Sequence, residues 1–276
     1  MKKKKTTRRG LLGRAASFFR NMLRPRNALP CVGLVVLGGC LTFIIAPDEP
    51  EPPAEELQPG EFPVVILDPG HGGRDEGTKW RGLAEKNLTL ELATRAEQVL
   101  KNAGFRTVMT RRDDTYVPLE ERARLANTHR NAIFVSIHFN SENSATTSGI
   151  ETHFAREKDV ATPDWSWIGF FNRSEPNQTD TSETLAGAIQ TSLVERTEAK
   201  SRGIHASNFY VIHHTRCPAV LVEGGFISNA FEAQLLGTDT YRDLLAQGIA
   251  QGLLRFLQTQ PGQPPATTTT AALQRP

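Results

Sequence analysis

Two histidines and a glutamate in this chain stand at the ends of apolar runs. His71 follows "VVILDPG", His138 closes "AIFVSIH" and Glu223 closes "PAVLVE". In open α/β sheets, reactive groups gather beyond the carboxyl ends of strands. One such histidine is usually a loop or packing residue, but three chemical groups placed alike suggest a shared centre that offers ligands or a base. Gly70, Gly72, Gly73, Gly224 and Gly225 flank them and remove side chains that would bar close approach. A metal explains the combination, because catalytic zinc commonly takes two His and one Glu and leaves a fourth position to water. "WRGLAEKNLTLELATRAEQVL" supplies a further carboxylate, Glu85, at a loop-to-helix junction able to fold back over the first strand end. Two simpler readings stand beside these. Glu223 can tie down the glycine turn after its strand, and Glu85 can sit at a helix N-terminus because the helix dipole favours it.

Positioning these groups requires an α/β sheet. Short β-branched runs alternate with stretches in which apolar residues recur at three and four positions. Strands are expected at 64–68, 106–110, 132–137, 150–154, 209–212 and 219–222, and helices at 86–102, 119–129, 182–198 and 240–257. Helices then cover both faces of the sheet.

Charge divides the chain. Residues 1–46 carry ten Lys or Arg and no acid, leaving 22 basic residues against 30 acidic ones in the rest. A domain of that sign lacks the basic footprint of nucleic-acid binding, so no nucleic-acid partner is expected. The basic segment, residues 1–27, leads into "ALPCVGLVVLGGCLTFIIA", residues 28–46, which has no charge and is long enough to cross a bilayer as a helix. With the positive charge on its N-terminal side, the remainder is expected outside the cytoplasm, periplasmic or in the cell envelope. The segment is read as an uncleaved signal anchor. A lipoprotein signal ending at Cys40 and a cleaved signal, with "TRRGLLG" faintly suggesting twin-arginine export, are the alternatives. Residues 47–61, rich in proline and acid, read as an extended tether, and 260–276 as a disordered tail. One folded domain, 62–259, remains. Its lone Cys217 precedes a strand-like run and is expected to be a small buried hydrophobe.

"ILDPGHGG", "GLAEKNLTLELA", "SIHFN" and "PAVLVEGGFISN", in this order and with their gaps, resemble the zinc-dependent N-acetylmuramoyl-L-alanine amidases of the bacterial cell wall, amidase type 3. The likeness extends to "GIETHF" and to "YRDLLAQGIAQGLLRFL", covering nearly all of 62–259. It implies a mixed six-stranded sheet flanked by helices, with zinc held by His71, Glu85 and His138 and Glu223 as the catalytic carboxylate. It further implies peptidoglycan as substrate, cut at the amide between the lactyl group of N-acetylmuramic acid and L-alanine. A zinc peptidase acting on the stem peptide is the alternative.

Asp68, before Pro69, is expected to orient a ligand or cap the loop, accepting a hydrogen bond from the other ring nitrogen of His71. Asn140 is expected to position the loop or substrate. His129, His153, His205, His213 and His214 are read as surface or packing residues. Residues 155–183 form an unusually long connection, with Trp165, Trp167, Phe170 and Phe171 close together. Its aromatics can pack on the body, or the stretch can act as a lid or glycan platform. It can also act as a plug that an activator protein displaces, in which case deleting 156–181 raises basal activity.

Overall fold

The computed structural model describes residues 62–129, 131–159 and 178–260. The basic segment, the apolar run 28–46, the tether, the tail from 261 and the four aromatics between 165 and 171 lie outside the described residues. No helix among the described residues is long and apolar enough to cross a membrane.

In chain order the elements are β1 (Val64–Pro69), β2 (Lys79–Trp80), β3 (Leu83–Ala84), α1 (Glu85–Asn102), β4 (Thr107–Met109), α2 (Leu119–Asn127) and β5 (Ala132–Asn140). There follow β6 (Ile150–Phe154), α3 (Gln178–Thr197), β7 (Ser201–Ala206), α4 (Tyr210–His213), β8 (Ala219–Phe226), α5 (Ala230–Leu236) and α6 (Asp239–Gln258). Six strands form one mixed sheet in the order β4-β1-β5-β8-β6-β7, while β2 and β3 pair as a separate hairpin. β4, β1, β5 and β8 run parallel, and β6 pairs antiparallel to β8. β1 is buried along its whole length, as a parallel strand covered on both faces must be.

Side chains alternate between faces along a strand, which divides the core in two. Val65, Leu67, Val135, Ile137, Val220 and Val222 pack with α1, α3 and α6 in the larger cluster. Val64, Ile66, Phe134, Ala219 and Leu221 pack with Ala126 of α2, Val211 and Ile212 of α4, and Cys217. Cys217 is buried there as expected, and burial pushes its thiol up to about 12.

The expected strand at 209–212 is a correction. That stretch forms the single turn α4, and the sixth strand is β7 at the sheet edge. "SRGIHA" is largely exposed and carries no apolar run to signal a strand, whereas Val211 and Ile212 are drawn onto the smaller core. Tertiary packing overrides the β-propensity of "FYVI". The helix α5 had no expected counterpart.

α3 and α6 approach closely because Gly248 and Gly252 face them. A Cβ on Gly252 would lie 2.5 Å from the Ile189 Cα, and one on Gly248 2.9 Å from the Leu193 Cα. The obstacle is backbone, which cannot rotate aside. Alanine at 252 would gain roughly 1 kcal/mol of helix propensity, but overpacking costs about 1–3 kcal/mol. Gly252→Ala is therefore expected to lower the urea midpoint; an unchanged or raised midpoint would show that the two helices can separate at little cost.

Candidate metal centre

β1, β5 and β8 are adjacent and parallel, so their carboxyl ends share one edge of the sheet. His138 pairs in register with Glu223, and Asp68 with Ser136. By the strand period, Asp68, His138 and Glu223 stand on the face of the smaller core. That face is covered by α2 and α4, which are short. A pocket of about 280 Å³ opens there, with Asp68, His71, His138 and Glu223 on the sheet side and Tyr116, Leu119, Phe209 and Tyr210 among its walls.

His71 and His138 line this pocket, and the two converge with Glu85. His71 Nε2 and His138 Nδ1 each lie 3.0 Å from the same Glu85 oxygen, Oε1. Glu85 is the first residue of α1 and is 4% exposed. Its Oε1 accepts from Phe139 N at 3.2 Å and its Oε2 from Thr78 N at 2.9 Å. Each of the three residues offers one ligand atom within 4.8 Å of the others, and a borderline nitrogen and oxygen donor set of this kind suits a divalent transition cation. Burial alone would raise the Glu85 carboxyl, yet the bonds and charge of His138 and His71 outweigh it and hold Glu85 well below the usual carboxylate range. Burial alone would lower the His71 imidazole, but Glu85 and Asp75 override that and raise it.

The backbone at this point is held out of its ordinary range. His71 has a φ of 59°, in the left-handed region, which costs a residue other than glycine or asparagine about 1–3 kcal/mol. Two buried arginines oppose that strain. Arg122 donates to the carbonyls of His71 and Pro69, both at 2.7 Å, and to Asp68 Oδ1 at 2.7 Å. Arg111 donates to the carbonyls of Pro69 at 3.0 Å and Gly70 at 2.8 Å. Three consecutive carbonyls are thus fixed by guanidinium forks. A Cβ on Gly70 would fall 2.2 Å from the His138 ring, so only glycine lets this loop lie against the second histidine.

Asp68 does not touch the His71 ring as expected. Its oxygens are taken by Arg122, Thr110 at 2.6 Å and Ser136 at 2.7 Å, so it acts on His71 only through Arg122 and the backbone. Asp75 Oδ1 occupies the expected place, 2.9 Å from His71 Nδ1, though not aligned as a hydrogen bond. Asn140 turns away from the His71–Glu85–His138 trio. It donates to Glu151 at 2.8 Å, and Glu151 is also bound by Arg202 at 2.7 Å. His153 and His205 approach the same carboxylate at 3.4 and 3.8 Å.

Glu223 faces Glu151 across the β8–β6 ladder. Its Oε2 is buried without a hydrogen-bond partner. Burial drives this carboxyl well above its ordinary value, and the negative charges of Glu85 and Glu151 push the same way. A carboxyl beside a candidate cation site, with its affinity for a proton raised, is suited to taking and returning one.

Asp75, Arg111, Arg122 and Glu151 were not anticipated. Arg122 had a signal, since Leu119, Arg122, Ala123 and Ala126 fall on one helical stripe and place a cation among apolar positions. Arg122→Met leaves Asp68 buried and uncompensated, which costs about 3–5 kcal/mol. It is expected to show that loss in denaturant titration together with weaker metal binding; full metal affinity in the folded variant would mean that the clamp on His71 is dispensable.

A family described as N-acetylmuramoyl-L-alanine amidase matches residues 65–255. The chain is similar to the germination-specific N-acetylmuramoyl-L-alanine amidase of Bacillus subtilis (strain 168), with 32% identity over 219 aligned positions, covering 73% of this chain and 82% of that protein. It is also similar to N-acetylmuramoyl-L-alanine amidase LytC of the same organism, 33% identical over 193 positions, covering 70% of this chain but 35% of that protein. Among solved structures, the N-acetylmuramoyl-L-alanine amidase from Clostridium difficile 630 superposes with a TM-score of 0.62 at 36% identity, covering 73% of this chain and 99% of that one. The match takes in all six strands of the main sheet and His71, Glu85, His138 and Glu223, and the chain belongs to the N-acetylmuramoyl-L-alanine amidase family.

Proposed function

We infer that this chain is a zinc-dependent enzyme that hydrolyses the amide between N-acetylmuramic acid and L-alanine in peptidoglycan. The observation that carries the reading is the pairing of Glu223, its Oε2 buried and unpartnered, in register with His138 of the His71–Glu85–His138 trio. A zinc ion held by those three residues supplies Lewis acidity and a nucleophile at neutral pH. Glu223 takes a proton from the attacking water. As the C–N bond breaks, Glu223 returns that proton to the departing nitrogen, leaving a lactyl carboxylate on the sugar and a free amine on L-alanine. Glu85 stays ionised throughout, fixed by the Thr78 and Phe139 amides. Tyr116, Leu119 and Phe209, all exposed at the pocket walls, offer apolar surface to the ends of the substrate.

Export fits this substrate. In this reading residues 28–46 anchor the chain in the cytoplasmic membrane and 47–61 act as a tether reaching up to roughly 50 Å. A protein activator remains part of the proposal only through the long connection 155–183.

Digestion of purified peptidoglycan by the full chain, followed by mass spectrometry, tests the activity. Free lactyl carboxylates are expected, and a chelator is expected to abolish them until zinc is restored; shortened stem peptides with intact lactyl amides would instead identify a peptidase. Glu223→Gln is expected to lower turnover by on the order of 10²- to 10⁴-fold while zinc stays bound, and full turnover in that variant would remove Glu223 from the mechanism. The raised pKa of His71 sets the sign of the pH dependence. Protons compete for this imidazole from above its ordinary value of 6.5 downward. Zinc affinity, measured by competition with a chromophoric chelator, is therefore expected to weaken as pH falls through neutrality, and a pH-independent affinity over that range would contradict the ligand assignment.

A further inference from the structure

A second donor set lies outside the trio. Asp159, His213 and His214 each present one ligand atom, and these atoms lie within 4.8 Å of one another. The residues come from two parts of the chain. Asp159 follows β6, His213 ends α4 and His214 comes directly after it. Bonds to backbone carbonyls hold the two parts together. Asp159 N donates to the His213 carbonyl at 3.0 Å, and Lys158 Nζ donates to the carbonyls of Thr215, at 2.8 Å, and Cys217. Asn127 at the end of α2 donates to the His214 carbonyl at 2.9 Å.

The His214 ring is prepared in two ways. Its Nδ1 lies 2.8 Å from the Asp159 carbonyl, which accepts only an N–H, so Nε2 is left with the lone pair. Metal-binding histidines are held in this manner, one nitrogen donating to a carbonyl and the other free to coordinate. The Tyr210 ring lies against the His214 ring at 4.0 Å between centroids, which limits its rotation. Asp159 is exposed and both histidines are half-buried, so a cation from solvent reaches the site with little desolvation of the ligands.

We propose that Asp159, His213 and His214 form a second metal site, separate from the His71–Glu85–His138 centre, that takes a divalent transition cation of the zinc class. Calcium and magnesium seek oxygen ligands, whereas two imidazoles with one carboxylate suit zinc, nickel or copper. Around a tetrahedral zinc at ordinary bond lengths, ligand atoms sit roughly 3.3–3.5 Å apart. Coordination at that spacing requires the side chains of Asp159 and His213 to turn toward each other about the backbone that Asp159 N and the His213 carbonyl hold together. The consequence reaches the catalytic pocket. Phe209, Tyr210 and Val211, on and just before α4, form part of its wall, so a cation bound here fastens that wall to the segment leaving β6. The proposal goes beyond the amidase reading and does not rest on it.

Calorimetric titration of the metal-free full chain with zinc tests it. Two equivalents are expected for the wild type. The double variant His213→Ala/His214→Ala and the single variant His71→Ala are each expected to retain one, and the combination none. Asp159→Asn, an exposed substitution that leaves the core untouched, is expected to weaken one of the two sites roughly 10- to 100-fold. Melting curves without zinc identify variants that have lost the fold. One equivalent in the wild type and none in His71→Ala overturns the proposal, as do two unchanged equivalents in both Asp159→Asn and the histidine double variant. One equivalent in the wild type that persists in His71→Ala and vanishes in the double variant upholds this site and sinks the first.

Discussion

A single carboxylate oxygen, Glu85 Oε1, organises the pocket. It stands 3.0 Å from an imidazole nitrogen of each of two histidines, one in the loop after β1 and one near the end of β5. Such an oxygen has to be ionised and immobile, although burial opposes the charge. The amides of Thr78 and Phe139 satisfy the remaining lone pairs, and the placement of Glu85 at the first turn of α1 adds the favourable end of the helix dipole. The two roles read for Glu85, helix-terminal carboxylate and proposed metal ligand, are therefore compatible in one arrangement. Displacing the β2–β3 hairpin or the start of α1 would move that oxygen away from both rings.

Much of this was legible in the sequence because parallel strands announce themselves. β1, β5 and β8 each carry an apolar run followed by a chemical group, near the end of β5 and β8 and just beyond β1, and adjacency in the sheet brings the three groups to one pocket. The edge strand β7 could not be read, since an edge has little core to face and its residues carry no alternation. α4 was misread for the opposite reason: its residues look like a strand, and only the small core beneath them decides otherwise.

The supporting groups were less visible. Asp75 lies two residues beyond "ILDPGHGG", but nothing in its spacing shows that it, and not Asp68, approaches the His71 ring. Arg111 and Arg112 are neighbours in sequence with opposite fates. Arg111 is buried against the loop carbonyls, and Arg112 pairs with Glu97 at the surface, holding that carboxyl down to about 2. A guanidinium is the group suited to the buried role, since its fixed fork serves several carbonyls at once and it cannot shed its charge when desolvated.

The division of the core into a large and a small half has a further consequence. Most of the buried apolar residues lie on the side of α1, α3 and α6, while the pocket opens on the side of the two short helices. Provided that Arg122 is kept, exposed positions of α2 and α4 can therefore change and reshape what enters the cleft with little penalty to the larger core. One architecture is left free to diversify its clientele without relearning how to fold.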